Sequence, residues 1–199
     1  GCSGVQRTTG LWAKAVAHAS LGDVPAALAS RDDFREAMAA TPTSRFVHMV
    51  RSSQTLDIAS AFLDGELSYR CGRFDEGFAS LRLAHEMELD LPYDEPWGWM
   101  TPVAHALGAL LLEQGHADQA RQVFSDDLAR WPSNPWSLLG LLRCAKAANS
   151  TSSTTEIADL QARYNKAAER MSFEEDGGSN SSNSTVEPCF CAGLPIYKV

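Results

Sequence analysis

The stretch Ala104-x-x-Leu107-Gly108-x-x-Leu111, followed by Gly115, Ala120-x-x-x-Phe124 and Pro132, constrains this chain more than any other. Apolar residues at helical spacing on both sides of a glycine predict two short helices joined by a tight turn, with a proline closing the second. The whole stretch has the spacing of one helical repeat of about 34 residues. A single hairpin of this kind cannot bury its apolar face alone, so it implies stacked neighbours.

Weaker copies of the pattern occur on both sides. A first helical pair is predicted from about Leu11 to Ala40, with Leu11, Ala15, His18 and Ala19 on one face. Gly22-Asp23 interrupts it, Asp23 can cap the following helix, and Pro25 sits in that helix's first turn, where it removes no needed hydrogen bond. Between Ser44 and Gln54 the residues Phe46, Val47, Met49 and Val50 leave room for a further short helix. A second pair spans about Thr55 to Leu89. Ile58, Ala61, Phe62, Gly65 and Tyr69 form its stripe up to Cys71-Gly72-Arg73, and Phe74, Phe78, Leu81 and His85 continue it. The third pair runs from Thr101 to Arg130. A fourth unit starts at Pro135, runs to about Ala148, and is followed by a polar Asn149–Thr154 connection and a last helix over Thr155–Arg170. From Glu174 to Pro188 the chain is acidic and then rich in Gly, Ser and Asn, a composition that supports no core. Residues 171–199 are therefore expected to be a flexible linker and disordered tail, whose apolar end around Cys189–Tyr197 can dock back.

Composition narrows the function. The 199-residue chain carries a formal charge of −8, which argues against nucleic acid or an anionic membrane as its main partner. No apolar run approaches the ~20 residues that span a bilayer. The chain begins Gly1-Cys2-Ser3 without methionine and reads as a truncated or processed end; Val5 stands where an acylation signal wants Ser or Thr. Five cysteines, odd in number and irregularly spaced, form no disulfide framework. Cys71 and Cys144 read as small buried hydrophobes, and a cytoplasmic location is expected.

On these residues the chain resembles the tetratricopeptide repeat family. The third unit matches best, through Leu107-Gly108, Leu111, Ala120, Phe124 and Pro132. The second keeps Ala61, Gly65, Leu81 and Ala84, but has Asp64 for an expected leucine and Gly77 for the small alanine. The first keeps Leu11, Ala15, Gly22-Asp23 and Ala27; the fourth keeps Leu138 and Leu141. The turn glycines Gly22, Gly72 and Gly115 lie 50 and 43 residues apart, so the connections between repeats are longer than the family norm. The resemblance implies an all-α, right-handed α-solenoid of about four helix-turn-helix units over residues 8–170.

It also implies a non-catalytic module that binds a protein or peptide partner on the concave face, without a cofactor. Carried onto this chain, that face presents Trp12 and Val16, then Phe62, Glu66, Tyr69 and Arg70. It continues through His105, Ala109, Leu112 and Glu113 to Trp136, Leu139, Arg143 and Lys146. The family's chaperone-binding members clamp a terminal carboxylate with Lys, Asn and Arg. Here those positions hold Trp12, Val16, Leu63, Pro102 and Ala106, so a chaperone adaptor is not expected. The loop Leu91–Pro102 is rich in proline and aromatic residues, like that of one branch of the family. Two roles are open to Tyr93, Trp97 and Trp99: contact with a ligand, or filling a gap between widely spaced repeats.

Signals of catalysis are weak. The five histidines are scattered, with no pair at the spacing that sets two metal ligands on one helix face. There is no phosphate-cradling glycine loop and no nucleophile elbow. Cys189-x-Cys191 is the one candidate for a thiol- or metal-dependent site. The competing readings are thus such an enzyme, or a helical domain of a larger one.

Overall fold

A computed structural model describes residues 4–95, 97–147 and 153–169. Among them the chain is predominantly helical, with eight helices and one two-stranded hairpin. The expected tail at 171–199, with Cys189 and Cys191, lies outside the described residues. No described helix is long and apolar enough to cross a membrane. The chain divides into two compact units between Val103 and Ala104.

The first unit contains α1 (Gly4–Ser20), α2 (Val24–Ala39), the strands β1 (Phe46–Val47) and β2 (Val50–Arg51), α3 (Ser52–Arg70) and α4 (Phe74–Leu89). Helix α1 packs on α2 and α3, and α3 also packs on α2 and α4. Asp23 caps α2 as expected, its carboxylate accepting from the Ala26 N–H at 3.1 Å, with Pro25 in the first turn. Asp64 is half-buried and binds Arg35 of α2 through both oxygens, at 2.8 and 2.9 Å, an ion pair between helices.

The segment around Phe46 is not a helix. It is an antiparallel hairpin with Phe46 opposite Arg51 and Val47 opposite Val50. His48 takes a left-handed conformation in the turn, φ 54°.

The second unit holds α5 (Val103–Glu113), which starts at the boundary, then α6 (Ala117–Arg130), α7 (Pro135–Ala147) and α8 (Thr154–Glu169). Helix α7 packs between α6 and α8. Arg121 of α6 reaches Glu156 of α8 at 2.6 Å. Cys144 is buried, and burial pushes its thiol up to about 11.

Three hairpins, α1–α2, α3–α4 and α5–α6, turn in the same way. Gly22, Gly72 and Gly115 have φ of 80°, 75° and 82°, a region closed to most side chains. Each glycine N–H bonds three residues back, to Ala19, Tyr69 and Leu112 respectively, at 2.9–3.1 Å. The next N–H bonds five residues back, to His18, Ser68 and Leu111, at 2.9–3.0 Å. That pair of bonds is the Schellman closure, which satisfies carbonyls the helix end leaves free. A small residue lies seven positions before each glycine and another five after: Ala15 and Ala27, Gly65 and Gly77, Gly108 and Ala120.

Candidate functional site

The ring of Phe124 organises the second unit. A Cβ on Gly108 of α5 would lie 2.5 Å from Phe124 Cζ, and a Cβ on Gly140 of α7 would meet the same ring closer still. Phe124 is therefore clasped by two glycines from different helices, with no exposed area. Both glycines follow a leucine, in Leu107-Gly108 and Leu139-Gly140.

This alignment of α5 and α7 brings a polar network together at their starts. Asn134 is the N-cap of α7, where its side-chain oxygen accepts from the Trp136 N–H at 3.1 Å. Its amide nitrogen donates to Asp127 at 2.7 Å and lies 2.6 Å from His105 Nε2. Ser137, fully buried, donates to the same Asp127 oxygen at 2.5 Å. The imidazole of His105 stacks on the indole of Trp136, with centroids 5.6 Å apart and planes 20° from parallel.

Protonation follows from the geometry. Burial lowers the pKa of His105, and the Asp127 charge 4.0 Å away offsets only part of that. The imidazole is therefore neutral near pH ~7. Asn134 offers its two amide hydrogens to Asp127 and His105, so Nε2 is the acceptor and Nδ1 carries the proton. Ser137 gives its hydrogen to Asp127 and has no exposed surface, so the Asp127 carboxylate ties Ser137 and Asn134, and through Asn134 His105, into one network. Among the described residues no group of His, Cys, Asp and Glu could hold a metal ion.

The structure treats the expected partner-binding residues unequally. Phe62, Glu66, Tyr69 and Arg70 are buried with 0% exposure, and Trp12 is buried at 8%. All five are packing residues, a correction to the expectation that they present an accessible face. Trp12 meets Phe62 edge-on at 5.7 Å and Trp99 at 5.3 Å. Tyr69 meets Phe74 and Phe78 at 5.1 and 5.8 Å. Arg70 lies 3.4 Å from Glu66, one helical turn apart. Burying two charges is tolerable only as a pair.

The aromatic loop divides in the same way. Trp99 is buried against Trp12, so it fills space inside the first unit. A Cβ on Gly98 would fall 2.8 Å from Val50, and Asp94 accepts from the Met49 N–H at 3.3 Å, so the loop lies on the β-hairpin. Trp97 is half-buried. Tyr93 remains exposed, its hydroxyl bound to Glu95.

In the second unit the expected residues stay more open. Trp136 is 36% exposed and His105 half-buried; Glu113 and Lys146 are exposed and Arg143 half-buried. Lys146 lies 3.4 Å from Gln161 of α8. His105 and Trp136 are in contact with each other. No family model, curated protein or solved structure matches the chain.

Proposed function

We propose that the chain is a non-catalytic protein-interaction module: a tetratricopeptide-like right-handed solenoid of about four units, acting as a cytoplasmic scaffold. It receives a peptide or protein partner on the α5–α7 face, centred on Trp136. Three hairpins with one turn geometry support the repeat reading, as does the Phe124 ring held by two Leu-Gly pairs. Trp136-x-x-Leu139-Gly140 also has the spacing with which such a repeat opens.

One observation carries the functional reading. Trp136 is exposed over about a third of its surface, yet its orientation is set by stacking on His105, which Asn134, Asp127 and Ser137 hold in turn. Large aromatics whose conformation is fixed before binding lose little entropy on contact, and they dominate interface energies. Glu113 and Lys146 are exposed charges toward the far ends of the same two helices.

The test is cross-linking and co-purification with the full chain and Trp136→Ala, with circular dichroism confirming that the variant folds. A partner held through this face is expected to drop away by at least about tenfold, the ~1.4 kcal/mol that a modest hot spot supplies. Partners retained at full yield by a folded Trp136→Ala would refute the assignment.

A further inference from the structure

A small cavity in the second unit leads to a separate inference, independent of the Trp136 face. It holds about 220 Å³ and is lined by Pro132, Ser133, Leu138, Arg163, Lys166 and Ala167. Leu138 and Ala167 are buried and Pro132 adds a third apolar wall, while residue 167 contributes only a methyl group and leaves the space open. Arg163, Lys166 and Ala167 fall on one face of α8, at the spacing that makes helical residues neighbours.

The polar groups on the wall share one property: all of them donate. They are a guanidinium, an ammonium and a hydroxyl, and no carboxylate lines the cavity. Arg163 sits 3.8 Å from Asp159, but both groups are largely exposed, at 46% and 66%. Such a surface pair is weak and leaves the cation available. The Lys166 ammonium and the Ser133 hydroxyl have no side-chain partner among the described residues. In a chain of net charge −8, a rim of two cations and a hydroxyl able to donate, over an apolar floor, selects an oxyanion joined to an apolar group.

We propose that this cavity binds a small organic monocarboxylate. Arg163, Lys166 and Ser133 hold the carboxylate, and a short branched aliphatic stem rests on Pro132, Leu138 and Ala167. Pockets for drug-sized ligands run from roughly 300 Å³ upward, so this one is too small for a nucleotide. A second carboxylate would be set against the apolar floor without a partner.

The test is an NMR titration of the full chain with isovalerate, with isovaleramide and inorganic phosphate as controls. Isovalerate is expected to bind saturably with a Kd on the order of 1 mM, shifting the amide signals of Ser133, Leu138 and Lys166. The uncharged amide and phosphate should each bind at least about tenfold more weakly. Lys166→Glu combined with Arg163→Glu, both at exposed positions, should abolish binding, and Lys166→Arg should keep it. The milder Lys166→Gln covers the case in which the double variant fails to fold, and should weaken binding severalfold. Equal binding of isovaleramide or phosphate, unchanged binding in the folded charge-reversed chain, or no saturation with isovalerate would overturn the proposal.

Discussion

The hairpins α3–α4 and α5–α6 share a backbone plan and differ in what stands at their crossing. In α3–α4 both small positions are glycine. A Cβ on Gly77 would meet backbone atoms, with the Gly65 carbonyl and the Tyr69 nitrogen each 3.1 Å away, and a Cβ on Gly65 would lie 2.7 Å from Leu81. In α5–α6 the second small position is Ala120, whose methyl group is accommodated, and the third position carries Phe124 in place of leucine. At the first crossing the small positions face backbone atoms and Leu81; at the second a ring fills the space against Gly108 and also meets Gly140 of α7.

Chemical denaturation would test the contrast most strongly. Phe124→Ala removes a ring that serves two helices and is expected to cost about 3–5 kcal/mol. Leu81→Ala, its positional counterpart in α3–α4, should fall nearer 2 kcal/mol, the low end for leucine truncations. Equal losses would mean that Gly140 does not depend on the ring.

A smaller effect sharpens the same point. Gly77→Ala adds a methyl group against backbone atoms that cannot turn aside, and is expected to cost ~1–3 kcal/mol even though alanine favours helix. Ala120→Gly adds no clash and should cost about 1 kcal/mol through helix propensity. If Gly77→Ala is stabilising, the helices of α3–α4 are not in close contact.

The smallest effect is electrostatic. The folded protein binds a proton at His105 less readily than the unfolded chain, whose histidine titrates near pH ~6.5. The unfolded state therefore holds more protons in that window. The corresponding stability is full above about pH 6.5 and is lost as pH falls from there through the lowered folded value. Denaturation at several pH values should show a shallower acid decline in His105→Gln than in the parent. Identical profiles would show that His105 has no part in it.

Much of the helical skeleton was legible because turns and caps are local chemistry. Gly22, Gly72, Gly115, Asp23 and Pro25 each act within a few residues, and their roles were read correctly from sequence. The β-hairpin was not legible, since its strands are two residues each and His48-Met49 lacks the glycine or asparagine that marks such turns. Burial misled more seriously at the site. Glu66 and Arg70 look like solvent-facing charges on a helix, and only their one-turn separation hints at an internal pair. His105 and Trp136 were each picked out singly. Their contact depends on Asn134 and Asp127, ordinary cap and helix residues until α6 and α7 are packed together.

One feature of the first unit bears on how this chain can be altered. Glu88, near the end of α4, accepts from the Val103 N–H at 2.9 Å, a carboxylate set where a helix start favours negative charge. That bond joins the two ends of the 90–102 segment. Closing a loop at its base makes its length tolerant of change, because lengthening a closed loop adds little entropy cost. Residues around the exposed Tyr93 tip form an insertion port: a tag or an extra peptide placed there should leave the bond between Glu88 and the Val103 N–H intact.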